Sequence, residues 1–163
     1  MARSLAALGG GAHIEYHNPG MLHPELIAAY RNAHYVVFGE PGLVLRIGEP
    51  NAELDALLEA EGAAGAAYLT AANPRGERRS AADNELAVQS LERFLRGKPY
   101  RFYEGEGRDG AGNWQAERSF LVVGIGRAEA EALGRRLGQN AIVFAEKGGA
   151  PELVILAAGA ALG

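Results

Sequence analysis

Cysteine is missing altogether from the 163 residues, which excludes disulfides, thiolate nucleophiles, thiolate zinc sites and iron–sulfur clusters. Basic charge is not in excess either. Lys and Arg number 16 against 20 Asp and Glu, a formal net charge of -4, so the chain as a whole exerts no long-range pull on nucleic acid or on an anionic membrane surface. No apolar run approaches the roughly 20 residues that span a bilayer, and MARSLAALGGGA sets three glycines where a signal peptide needs its apolar core. A cytoplasmic protein with no nucleic-acid or membrane partner is the expectation.

Several catalytic signatures are absent as well. Gly105-x-Gly107 and Gly124-x-Gly126 lack the further glycine of a dinucleotide fingerprint, and no phosphate-loop lysine accompanies them. There is no Gly-x-Ser-x-Gly elbow to present a nucleophilic serine. His13 and His17 have the i, i+4 spacing of a helical metal pair, with His23 nearby. The Asn-Pro-Gly that follows them breaks a helix, and no His-Glu-x-x-His accompanies them, so no metal site is expected. No motif names a cofactor.

What is there reads as one α+β, or α/β, domain over residues 21–157, between a flexible tail at 1–20 and a frayed one at 158–163. Pro24 opens a short helix with Leu26, Ile27, Tyr30 and Ala33 on one face. His34–Phe38 and Leu43–Ile47 form a hairpin across Gly-Glu-Pro-Gly. Asn51 caps a helix that carries Leu54, Leu57 and Leu58 and stops at Gly62. A strand over Tyr68–Ala72 follows, then a helix from Ser80 to Arg96 with Leu86, Leu91, Phe94 and Leu95 on its apolar stripe. Strands at Tyr100–Glu106 and Ser119–Ile125 flank a long polar loop, a helix runs over Arg127–Leu137, and Ala141–Ala145 with Leu153–Leu156 close the chain as a hairpin. Two segments, Leu45–Ala71 and Leu121–Ala145, each read strand, helix, strand. If their strands pair in parallel, the product is a mixed sheet in a two-layer sandwich with the helices mainly on one face.

Chemistry concentrates in two connections. Asn73-Pro74-Arg75-Gly76-Glu77-Arg78-Arg79-Ser80 leads from a strand end onto a helix N-terminus, where Arg75, Arg78 and Arg79 offer forks suited to phosphate or carboxylate. The plainer reading is a solvated turn with an ordinary cap. In EGEGRDGAGNWQAERS, strand geometry puts Glu104 and Glu106 on the face of Tyr100 and Phe102, with Arg101 and Tyr103 opposite. Such a carboxylate pair can retain a proton for acid–base work, or join Asp109 around magnesium, or simply face solvent. Trp114, the only tryptophan, suits a lid over the sheet edge or a stacking surface for a planar ligand. Gln139 and Asn140 orient a polar ligand or satisfy turn amides.

Three stretches, AAYLTAANPRGERRSAADNE, EGEGRDGAGNWQAERSFLVVGI and EALGRRLGQNAIVFAE, resemble in content and order the bacterial family called domain of unknown function 3293. AAYRNAHYVVF with LVLRIGEPNAELDALL is similar to that family's N-terminal half, so the resemblance covers about Leu26 to Glu146. It implies that Asn73, Pro74, Ser80, Asn84, Glu104, Gly105, Gly107, Arg108, Trp114, Glu117, Ser119, Gln139 and Asn140 stand at motif positions. It marks a face and attaches no activity, cofactor or partner to it.

The combined expectation is a site for a polar or anionic small molecule made by the 73–80 and 104–119 loops. In it Arg75 and Arg108 hold the anion, Trp114 closes over it, and Glu104 or Glu117 orients it. The alternative is a protein-interaction or regulatory module that docks a partner on the same loops without catalysis, since arginine and tryptophan also serve as partner hot spots. A third reading makes Glu104 and Glu106 or Glu117 the acid and base of an enzyme.

Overall fold

The computed structural model describes residues 22–40, 42–111 and 115–156. The chain order is α1 (Pro24–Asn32), β1 (His34–Val37), β2 (Leu43–Leu45), α2 (Ala52–Glu61), β3 (Gly65–Leu69), a 3₁₀ turn (Pro74–Gly76), α3 (Ala81–Arg96), β4 (Arg101–Arg108), β5 (Glu117–Val123), α4 (Arg127–Arg136), β6 (Ala141–Glu146) and β7 (Glu152–Ile155). The helix signals act as read. Asn51 accepts from the Leu54 amide and Gly62 takes the left-handed stop of α2. Ser80 accepts from the Asp83 amide at the head of α3, and His23 caps α1 with Pro24 in its first turn.

The seven strands form one sheet in the order β2-β1-β4-β5-β3-β6-β7, and every neighbouring pair is antiparallel. The α+β class holds, but the mixed sheet does not. Alternating directions make β5 and β6, which α4 joins, run the same way with β3 between them. The strands that α2 joins, β2 and β3, also run the same way, with three strands between them. Each strand–helix–strand segment therefore links like-directed strands without pairing them.

Nor are the helices mainly on one face. Successive residues of a strand point to opposite faces. On one face Ala66, Tyr68, Leu121, Val123, Ala141 and Val143 pack with Leu26 and Tyr30 of α1 and Leu54 and Leu58 of α2. On the other, Ala67, Leu69, Phe120, Val122, Ile142 and Phe144 pack with Val88, Leu91 and Leu95 of α3 and Ala130 and Leu133 of α4. The architecture is three layers. Its cause is visible in the central strands: β3 is buried at every position and β6 at all but its last, and residues apolar on both sides need cover on both sides.

The sheet also curls. A flat sheet would hold β3 and β1 about 14 Å apart, three strand spacings, beyond the reach of a tyrosine. Yet the Tyr68 hydroxyl donates to the Val36 carbonyl at 2.8 Å, and its ring meets Tyr35 edge-on with centroids 5.4 Å apart. Glycine in β4 permits this approach, since a Cβ on Gly105 would lie 1.8 Å from the Val36 oxygen.

Other boundaries move. Leu86 is 63% exposed and lies off the buried stripe of α3, which Val88, Leu91 and Leu95 form. Strand β4 extends to Arg108 and β5 begins at Glu117, so the connection between them is residues 109–116, shorter than the 104–119 read from sequence. Polar side chains and two glycines masked these strand ends. The tails at 1–20 and 158–163, with His13 and His17, lie outside the described residues, as does Trp114. Among the described residues no helix is long and apolar enough to cross a membrane.

Candidate functional site

The alternating strand directions bring the end of β3, the end of β4, the start of β5 and the start of β6 to one end of the sheet. Asn73, Glu117, Ser119, Gln139 and Asn140 gather there, from segments far apart in the chain. Asn73 is 4% exposed and adopts a left-handed backbone, φ 45° and ψ 59°, a conformation that asparagine tolerates better than other side-chain-bearing residues. Its polar atoms are committed. The Asn73 amide N–H donates to Asn84 Oδ1 at 2.9 Å, and Nδ2 donates to Glu117 Oε1 at 2.9 Å. Oδ1 accepts from the Arg79 amide and from Asn84 Nδ2, each at 2.9 Å.

Asparagine at 73 thus ties three elements together: the loop itself, α3 through Asn84, and β5 through Glu117. Arg75 is left-handed as well, φ 60°, and its amide donates to the Gly138 carbonyl at 2.7 Å. The α4 stop makes room for this loop, because a Cβ on Gly138 would come within 3.0 Å of Pro74 Cβ. Gln139 Nε2 donates to the Ala72 carbonyl at 3.1 Å, 67 residues away in the chain, and Asn140 Nδ2 donates to the Tyr30 hydroxyl at 3.3 Å. Left-handed non-glycine residues persist where surrounding structure over-determines them, and such strain concentrates at functional loops.

Beneath the loop lies a polar floor. Glu117 is 9% exposed and Ser119 fully buried, with the Ser119 hydroxyl donating to the Glu117 carbonyl at 2.9 Å. Tyr35 donates to the Tyr30 carbonyl at 2.6 Å. Burial first, then Tyr30, Tyr68 and Glu117, push the Tyr35 hydroxyl far above the usual phenol range. Burial likewise raises Tyr68, opposed by a hydrogen bond to Ser119. Both phenols hold their protons at physiological pH. Sequence reasoning missed these tyrosines and Thr70, whose hydroxyl donates to the Arg118 carbonyl at 2.6 Å and accepts from the Ala72 amide at 3.1 Å. No local pattern distinguishes them from ordinary strand residues.

Glu104 and Glu106 lie on the face expected of them, each against its own arginine. Glu104 meets Arg118, which also bonds Glu85 at 3.0 Å and Glu92 at 3.3 Å. These carboxylates, Glu104 first, hold the Arg118 guanidinium above its ordinary value. Glu106 bonds Arg108. Among the described contacts none joins Arg108 to the 73–80 loop, and the turn after β4 packs on the end of α1: a Cβ on Gly110 would lie 2.7 Å from the Asn32 carbonyl. Ser80 is exposed and acts as the α3 cap. Among the described residues no three His, Asp or Glu converge as a metal site.

Residues 69–142 match the model of a family described as Protein of unknown function (DUF3293), so the resemblance carried by the motifs stands over the stretch from the end of β3 to the start of β6. Comparisons with curated proteins and with solved structures yield no match.

Proposed function

We propose that this is a cytoplasmic protein that binds a small anionic molecule at the 73–80 loop, where it crosses the end of the sheet. What supports the reading is the gathering of three arginines on one pinned loop. Arg96, Arg101, Arg108, Arg118 and Arg127 each have a carboxylate partner; Arg31, Arg46, Arg93, Arg135 and Arg136 have none among the described residues but lie elsewhere on the chain. The side chains of Arg75, Arg78 and Arg79 are exposed and have none among the described residues, on a loop whose backbone is pinned through Asn73. Guanidiniums held by a pre-ordered backbone bind oxyanions at low entropic cost. Arg75 and Arg79 hold the anion in this reading, while Asn73, Asn84 and Glu117 keep the loop in place beneath it.

The experiment is a thermal-shift screen against nucleotides, sugar phosphates and organic acids, repeated on Arg75→Gly with Arg79→Ala. Glycine keeps the left-handed backbone at 75 without strain. A ligand at one hundred times its Kd adds about 2.7 kcal/mol of stability, and that gain is expected to vanish in the double variant. No shift from any compound, or an equal shift in the variant, removes the reading.

A second reading, a non-catalytic docking module, is favoured by Phe38, just past β1, and Val44 of β2, which are 45% and 46% exposed. Under it no compound shifts the melting temperature, and Phe38→Asp with Val44→Asp weakens association with a protein partner.

A further inference from the structure

The 73–80 loop shares its end of the sheet with the end of α4, and the two are joined. The Arg75 amide donates to the Gly138 carbonyl at 2.7 Å, and the Gly138 amide donates in turn to the Arg135 carbonyl at 3.0 Å. Each such step spans roughly 5–7 Å between Cα atoms, so the backbone of Arg75 is tied at short range to the last turn of α4. Pro74 packs against the same glycine.

That turn carries Arg135 and Arg136, both exposed and neither with a carboxylate partner among the described residues. Ala130, Leu133 and Gly134 set the buried face of α4, which at 3.6 residues per turn directs Arg135 to solvent and Arg136 toward α3. The Arg136 guanidinium accordingly lies over the Phe94 ring at 5.4 Å, and the ring steadies its long stem. The helix end offers these cations little in return, since the carbonyls of Leu133, Gly134 and Arg135 already accept from the amides of Leu137, Gln139 and Gly138. Five guanidiniums, those of Arg75, Arg78, Arg79, Arg135 and Arg136, thus border one junction. Glu77 within the loop and Glu131 one turn before Arg135 pair with none of them among the described residues. An anion held by Arg75 and Arg79 leaves the pair on α4 uncompensated. A second anionic group on the same ligand removes that repulsion and binds already tethered.

We propose that the ligand of the 73–80 loop carries two anionic groups, phosphate or carboxylate, the first held by Arg75 and Arg79 and the second by Arg135 and Arg136. This rests on the reading of the loop as an anion site, and narrows its ligand to the class of diphosphates and dicarboxylates.

The test is isothermal titration of the whole protein at constant ionic strength, comparing inorganic phosphate with pyrophosphate in one arm and acetate with succinate in the other. In one arm the two-group probe is expected to bind about tenfold tighter, or more, than the one-group probe, and that arm tells phosphate from carboxylate. Arg135→Gln with Arg136→Gln is expected to abolish the gain and leave the one-group Kd unchanged, whereas Arg75→Gly with Arg79→Ala abolishes binding of both probes. Arg96→Gln with Arg101→Gln removes the same charge from exposed positions at the far end of α3 and the start of β4, and is expected to keep the gain. A gain lost there too is an effect of net charge and overturns the proposal. So does an equal loss for both probes in the α4 variant. A two-group probe that binds no tighter than its one-group counterpart overturns the proposal and leaves the loop reading standing, while a wild-type protein that binds none of the four removes both.

Discussion

Asn73 shows how much one side chain can decide. Its amide bonds Glu117, Asn84 and the Arg79 backbone while its own φ is positive. Alanine there keeps the strain and removes every one of those side-chain bonds, so Asn73→Ala is expected to cost about 2–4 kcal/mol in urea unfolding. Asn73→Gly is expected to cost roughly 1 kcal/mol less, because glycine accepts the left-handed conformation freely. Equal losses would mean that backbone strain is no part of the effect. The asparagine was singled out in the sequence as part of an Asn-Pro turn, but its partner Glu117 was not legible as such. The two are 44 residues apart, and nothing local to either predicts an amide–carboxylate contact.

At the scale of elements, the two glycines of β4 make opposite predictions from one strand. A Cβ on Gly105 collides with the Val36 carbonyl, whereas a Cβ on Gly107 finds its nearest neighbour, Ser119 Oγ, at 4.0 Å. Gly105→Ala is expected to break the β1–β4 pairing, at a cost of about 4 kcal/mol or more or failure to fold. Gly107→Ala is expected to change stability by less than about 1 kcal/mol, measured by the same denaturant midpoint. Gly105 was read from sequence where the Tyr100–Glu106 strand overlaps the 104–119 loop and Gly107 within that loop, since a Gly-x-Gly run between charges resembles a loop wherever the neighbouring strand is unknown.

The docking of α3 rests in part on Arg118, which reaches from β5 to Glu85 and Glu92 of the helix and to Glu104 of β4, and lies over the Phe120 ring at 5.6 Å. These groups are partly exposed, so Arg118→Ala is expected to cost about 1–2 kcal/mol, with raised salt recovering some of it by screening the three remaining carboxylates. A loss unaffected by salt would place the effect in packing over Phe120 instead. The helix itself was plain from the Ser80 cap and its periodicity. Leu86 was assigned to the stripe because its residue type outweighed its phase, and the exposed position follows from Val88, Leu91 and Leu95 setting the inward face.

For the whole molecule, the curl carries a pH signature. Tyr35 and Tyr68 hold their protons in the folded state far above pH 10, where an unfolded phenol ionises. The stability this provides is complete below about pH 10 and is lost as pH rises between the unfolded and folded values, since there the unfolded chain binds fewer protons. Each tyrosine contributes a slope of about 1.4 kcal/mol per pH unit in that window. Denaturant midpoints taken from pH 8 to 11 are expected to fall at the alkaline end, and Tyr35→Phe is expected to flatten the fall. An unchanged slope in that variant would show that the phenol is not shielded. Curl, buried phenols and the uncovered outer strands are one arrangement, because β1 closes over Tyr68 only when the sheet bends between β3 and β1.

By itself the sequence determined the local elements and the α+β class. Pro24, Asn51, Gly62, Ser80 and Gly138 start and stop helices through contacts within a few residues, and the two hairpins follow from short polar links between apolar runs. It also marked candidate residues in the two connections, because asparagine, arginine and glutamate are conspicuous in a loop whatever surrounds it. The tertiary structure alone decided the strand order, the helices on both faces, the curl, and which arginine met which carboxylate. Those depend on pairings between segments distant along the chain, where many registers satisfy the same local pattern and only simultaneous burial of both sheet faces selects one.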